Sequence, residues 1–280
     1  MSQSETRPKG HFDICLLAGI AIATGAAVAG LRSTGINPAY FLRPTGAFLV
    51  LGGSFGVMLI TTPGHSLINS FRRVFQLLAP ASGGAEELIE EIVKCARVSR
   101  RDGPPGLEAL AAKARDPFLR DGLMLACDFN DHAQLQGTLE TSLRLRERQG
   151  EADARTFEVA GGFAPTIGIM GTVVGLIEVM RQFSSMQSVG YGIGTAFVST
   201  IYGLALANLL MLPIAHRIRA RVAEEVETRE LIVEGVLCLA AGVHPAMIRV
   251  RLRSFLRAEG EVPSRADELI IGTRAKGANG

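Results

Sequence analysis

An all-α integral membrane protein is the architecture expected of this chain: four transmembrane helices in two pairs, a large helical cytoplasmic loop and a helical cytoplasmic tail. Three observations lead there. Four windows carry no Asp, Glu, Lys, Arg or His: Ile14 to Leu31, Pro44 to Gly64, Val159 to Ile177 and Gln182 to Ala215, of 18, 21, 19 and 34 residues. A hydrocarbon core about 30 Å thick needs roughly 20 apolar residues at 1.5 Å per helical residue, so each window meets or nearly meets the length. The basic residues are also segregated. Two Lys or Arg precede the first window, 13 lie between Pro63 and Phe157 and 11 follow His216, whereas the short connections carry only Arg32, Arg43 and Arg181. Basic residues near the membrane mark the cytoplasmic side, which places both termini and the middle segment inside.

Composition excludes other classes. The 29 Lys and Arg nearly balance 27 Asp and Glu, leaving a net charge of +2, and 48% of residues are hydrophobic. Neither a charge-driven nucleic-acid binder nor a disordered chain looks like this.

Taken in order, residues 1–13 form a cytoplasmic N-terminus and residues 14–64 hold the first helical pair around a short periplasmic loop. The first window is short and rich in Gly and Ala, so alone it also suits a buried core helix; the three other windows argue for a span. Arg7, Lys9 and the Ala27-Val28-Ala29 triplet resemble a cleavable signal peptide, against which stand Asp13 and the lack of a secreted domain behind it. Residues 65–157 form a cytoplasmic helical domain. There Ala85 to Arg101 reads as a helix, with Glu86, Glu87, Glu90 and Glu91 early and Lys94, Arg97, Arg100 and Arg101 late, as the helix dipole favours. Gly103-Pro104-Pro105-Gly106 ends it, a second helix starts near Leu107, and Asp116-Pro117 restarts the chain. From His132 no proline intervenes before Pro165, so one long helix enters the third span. Residues 158–215 hold the second pair, residues 216–256 a helical tail that turns at Gly242 to Pro245, and residues 257–280 a disordered end.

The chemistry is sparse. Cys15, Cys95, Cys127 and Cys238 form no disulfide or zinc pattern, and no nucleophile constellation, metal cluster or phosphate loop appears, so neither an enzyme nor a cofactor is expected. The spans contain one ionisable residue, Glu178, at the outer edge of the third helix beside Arg181. Carboxylates at mid-membrane are expensive and are kept for function, so a chain serving an ion path without one must borrow it from another chain. The second pair carries two small-residue faces: Pro165, Gly168, Thr172 and Gly175 on one helix, Ala196, Thr200, Gly203 and Ala207 on the other. Such faces either pack tightly on each other or hold a partner's helix, with Thr172 and Thr200 close to whatever polar group the partner inserts. Ser199 and Asn208 are further polar candidates. Pro165 and Pro213 each remove a backbone donor near the inner end of a span, giving either a plain bend or a hinge.

The run from Ala160 through Phe163-Ala-Pro165-Thr-Ile-Gly168 and Gly171-Thr172-Val-Val-Gly175, followed by Ala196-Phe-Val-Ser199-Thr200-Ile-Tyr-Gly203 and Leu212-Pro213, resembles the MotA/PomA stator branch of the MotA/TolQ/ExbB proton channel family. The likeness extends to Gly242-Val-His-Pro245 and to about Leu256. TolQ and ExbB usually have three spans, so four favour the stator branch. The resemblance implies a pentamer in the bacterial inner membrane around a MotB-like, single-span, peptidoglycan-anchored partner whose membrane Asp supplies the missing carboxylate. It implies torque on the rotor switch protein FliG through Arg100 and Glu108, which match the family's Arg and Glu spaced eight apart, although Pro104-Pro105 between them departs from the pattern. It raises the hinge reading of Pro165 and Pro213. Thr172 and Thr200 match hydroxyl positions of sodium-type members, and the ion, H⁺ or Na⁺, stays open. The rival readings are an energising subunit of a TonB or Tol system and a non-conducting membrane scaffold.

Overall fold

The structure is a computed structural model that describes residues 14–33, 35, 38–77, 84–129, 131–181 and 186–260. Every described element is a helix: α1 (Ile14–Ser33), a 3₁₀ turn (Pro38–Phe41), α2 (Pro44–Thr61), α3 (Gly64–Leu77), α4 (Ala85–Ala111), α5 (Pro117–Asp128), α6 (His132–Arg181), α7 (Met186–Ala205), a π-helical segment (Leu206–Met211), α8 (Leu212–Ala240) and α9 (Pro245–Gly260). By length and composition, three described helical runs suffice to cross a membrane: Pro44–Thr61, His132–Arg181 and Val189–Ala240. In α1 the apolar stretch is the shorter Ala21–Gly30. The expectations for residues 1–13 and for the tail beyond Gly260 lie outside the described residues.

The chain divides into two units, one of residues 1–82 with 146–224 and one of residues 83–145 with 225–280. In the first, α2 packs on α7 and buries Gly46, Val50, Ser54 and Met58, a stripe at intervals of four, with Gly46 against Ser199 of α7 and Val50 clustered with Ala164 of α6 and with Leu206 and Ala207 of the π-helical segment. Its other faces leave Phe48 and Ile60 exposed to 80% and 85%, which suits a helix whose solvent is lipid. Proline at the first position of α2 matches the helix start, where an N–H would be unpaired anyway. α3 packs Phe71 edge-on against Phe157 of α6, with centroids 5.6 Å apart.

In the second unit the core is aliphatic. Ile89, Ile92, Val93 and Ala96 of α4 recur at the i, i+3, i+4, i+7 spacing of one helical face and meet Leu119 and Leu123 of α5, Leu135 and Leu139 of α6, Leu231, Ile232 and Val236 of α8, and Ile248 and Leu252 of α9. Asp116 caps α5, accepting from the N–H groups of Phe118 and Leu119 at 2.7 and 2.9 Å. Glu90 takes Arg249 at 2.6 Å, and Glu86 pairs with Arg253, so α4 and α9 are also linked at their exposed edge.

Two details differ from the sequence reading. The break in α4 falls at Gly103 alone, whose φ of 71° lies in the left-handed region that glycine enters freely. The helix resumes immediately rather than near Leu107, because prolines are tolerated in a first turn. The last helix runs to Gly260, past Phe255.

Candidate functional site

The small-residue faces of the second pair meet each other. A Cβ placed on Gly175 would lie 2.7 Å from the Ala196 nitrogen, and one on Gly203 would lie 2.6 Å from the Ala164 carbonyl oxygen. On Gly168 it would lie 3.0 Å from the Ser199 carbonyl oxygen. Gly168, Gly175, Ala196 and Gly203, for which the sequence leaves mutual packing and a partner's helix both open, lie where α6 and α7 approach each other inside this chain. The physical reason is that removing Cβ atoms lets α6 and α7 approach backbone to backbone, where dispersion is strongest.

Within that seam the structure brings Thr172 and Thr200 together, Oγ1 to Oγ1 at 2.5 Å. Thr172 Oγ1 also lies 3.2 Å from the Gly168 carbonyl and 3.3 Å from that of Ala196. Each hydroxyl has one proton. The arrangement that uses both has Thr200 donating to Thr172 and Thr172 donating to a helix carbonyl, which leaves the Thr200 oxygen as an acceptor. Half-buried and uncharged, that oxygen can take a donated hydrogen bond or replace one water of a cation's hydration shell. Ser199 is placed differently: it is fully buried, donates to the Thr195 carbonyl at 2.8 Å, and fills the space left by Gly46 of α2 and Gly171 of α6. Asn208 donates to the Leu204 carbonyl at 2.9 Å.

The two prolines lie in unlike surroundings. α6 passes through Pro165 as one helix, whereas Pro213 follows the π-helical segment, in which the Leu212 N–H reaches back to the Ala207 carbonyl. A π turn widens the helix by one residue and often sits where a helix serves function. A Cβ on Gly161, one turn before Pro165, would lie 3.1 Å from the Leu212 side chain and 3.2 Å from Met211 Cβ, so the two proline segments share one level. The sequence reading missed the π segment. Its only local signal was Pro213.

Beneath this level lies a polar cluster that composition hid. Ser70 of α3 donates to the Asp153 carboxylate at 3.2 Å and stands 3.3 Å from Thr156 Oγ1, while Arg73 pairs with Asp153 at 3.2 Å. Burial pushes the Asp153 carboxyl above its ordinary value, outweighing the opposing Ser70 hydrogen bond and Arg73 charge. Arg219 of α8 joins Glu151 at 2.8 Å and Glu158 at 2.5 Å.

Arg100 and Glu108 are both exposed and stand on opposite sides of the Gly103 kink. Arg101 pairs bidentately with Asp102 at 2.9 Å, leaving Arg100 as the outward cation just before the kink. Glu108 follows buried Leu107 in the chain and lines a cleft of about 510 Å³ with Pro105, Met124 and Asp128. Met124 and Asp128 come from another helix, which is why no spacing rule found them.

The seam of α6 and α7 is built of small residues and hydroxyls within helical runs long and apolar enough to cross a membrane. Residues 110–231 match the model of the MotA/TolQ/ExbB proton channel family. The chain is similar to Motility protein A of Bacillus subtilis, 29% identical over 245 residues that cover 87% of this chain and 90% of the relative. Chemotaxis protein PomA of Vibrio alginolyticus is 28% identical over 228 residues, 81% of this chain and 89% of that protein. Among solved structures, the flagellar MotAB stator complex from Bacillus subtilis superposes with a TM-score of 0.77 at 29% identity, covering 87% of this chain and 96% of that one. The MotAB structure of C. jejuni, at 22% identity, shares the fold with a TM-score of 0.81 over 90% and 98% of the two chains.

Proposed function

We propose that this chain is a flagellar motor stator subunit that, with a MotB-like partner, forms an H⁺ or Na⁺ channel and converts ion flow into torque on the rotor. The observation that carries the reading is its likeness, along 87% of its length, to the stator complex of Bacillus subtilis. The membrane chemistry agrees with it. The described apolar runs hold hydroxyls and, among charged side chains, a carboxylate only at Glu178 near the end of α6. The ion-holding carboxylate therefore comes from the partner's helix, and Thr200, backed by Thr172, offers it an acceptor.

In this reading the chain spans the inner membrane four times, with both termini cytoplasmic, and several copies, five by family resemblance, surround the partner. A potential of 100 mV delivers about 2.3 kcal/mol per charge, so several ions drive a sizeable mechanical step. Torque passes through the level of Pro165 and Pro213 to Arg100 and Glu108, which press on the rotor switch protein FliG.

The test is to co-express Thr172→Val with Thr200→Val beside the partner and to measure swimming speed in Na⁺-containing and Na⁺-free media. Interhelical hydrogen bonds in membranes are worth about 0.6 kcal/mol on average, so assembly should survive while speed falls at least severalfold. Wild-type speed in the double variant would remove the hydroxyl pair from the ion path. Undiminished wild-type speed without Na⁺ would make the ion a proton.

A further inference from the structure

A cleft of about 580 Å³ opens between the Pro38–Phe41 turn, the start of α2 and α7, away from the threonine seam. Its charged wall is Arg43. The guanidinium lies 4.1 Å from the Tyr191 ring centroid, and its Nε donates to the Tyr40 carbonyl at 3.3 Å. Gly194 makes room for it, since a Cβ there would stand 3.3 Å from an Arg43 terminal nitrogen. Among the described residues no carboxylate pairs with Arg43. The turn beneath is fixed: the Tyr202 hydroxyl donates to the Phe41 carbonyl and accepts from the Arg43 backbone N–H.

Position and charge together select the occupant. α2 has 18 residues, about 27 Å at 1.5 Å each, so Arg43 at its N-cap stands at headgroup depth when the helix spans the hydrocarbon. No side chain caps that terminus, whose partial positive charge adds to the guanidinium. Below the charge the wall turns apolar through Phe197, Val198 and Ile201, with Phe197 67% exposed. Near this end of the apolar helices the described charges are Arg32, Arg43, Arg181 and Glu178, so a second copy of the chain would bring mainly like charge to Arg43.

We propose that this cleft binds an anionic glycerophospholipid, with its phosphate on Arg43 and the N-terminus of α2 and an acyl chain along Phe197, Val198 and Ile201. The inference uses the membrane placement of the proposed function but not ion conduction, so a complex that turns no motor still tests it.

The complex of full-length chain and partner is reconstituted in discs of equal phosphatidylglycerol and phosphatidylcholine, and retained lipid is counted by native mass spectrometry. The wild type should enrich phosphatidylglycerol on the order of tenfold, a difference of about 1.4 kcal/mol. Arg43→Ala should retain the two equally, and Arg43→Lys should keep part of the preference. Gly194→Leu preserves the charge but fills the cleft and should lose the preference as well; it decides the matter if Arg43→Ala fails to assemble. Equal retention by the wild type and either variant would overturn the site. So would a photo-crosslinker at Phe197 that joins two copies of the chain instead of lipid.

Discussion

Gly203→Ala tests the seam on which the site is built. The added Cβ would lie 2.6 Å from the Ala164 carbonyl oxygen and 3.0 Å from Gly168 Cα, both backbone atoms that cannot swing aside. α6 and α7 must separate by several tenths of an ångström, and overpacking of this kind costs about 1–3 kcal/mol. Replacing glycine by alanine inside a helix returns roughly 1 kcal/mol, so the net effect of Gly203→Ala is about 0–2 kcal/mol of destabilisation. Gly162→Ala is the control. It lies in α6, and a Cβ there meets nothing within 4 Å, so it should be neutral or stabilising by up to about 1 kcal/mol. The difference between the two variants isolates the contact at about 1–3 kcal/mol, or roughly 2–12 °C in Tm for a chain of this size. Thermal unfolding of the detergent-solubilised complex reads it directly. Equal midpoints for the two variants would refute the claim that close backbone approach holds the second helical pair.

Three further outcomes follow from the same geometry. Pro165→Leu and Pro213→Leu should abolish swimming while the complex still purifies intact, since each restores a backbone donor at the shared level of the two prolines; unchanged swim radius would remove the hinge role. Arg100→Glu should shrink the swim radius and be partly rescued by charge reversal on the rotor protein, whereas a wild-type radius would place the contact elsewhere. Asp153→Asn gives a pH test. A carboxyl raised by burial favours the folded state when protonated, so its contribution is complete below the ordinary value of 3.8 and is lost as pH rises through the raised folded value. The stability of the wild type relative to Asp153→Asn should therefore decline from pH 4 upward, and a rise over that range in paired Tm measurements would show that Arg73 wins over burial.

Much of the fold was legible because membrane helices leave a coarse signal. A charge-free window of sufficient length has few alternatives, since lipid solvates neither an open backbone nor a charge. The continuous helix from His132 and the turn before Pro245 were readable for a local reason, the placement of proline and glycine. Gly103 was readable as a break but not as a single left-handed residue, because two prolines after it look like a stop and serve equally well as a helix start.

What sequence could not decide was which surfaces meet. The faces containing Gly168 and Gly203 fit an internal seam and a partner's helix equally well by spacing, and only the packing of α6 on α7 assigns them to each other. Ser199 and Thr200 are neighbours in the chain, yet one is sealed against α2 and the other paired across the seam, because adjacent helical residues point about 100° apart. Asp153 looked like an ordinary acid in a charged segment until α3 folded over it and supplied Ser70 and Arg73. Hydrophobic length acts along one helix and is written residue by residue. Burial, pairing and proton affinity arise between helices distant in the chain, and they exist only once the helices pack.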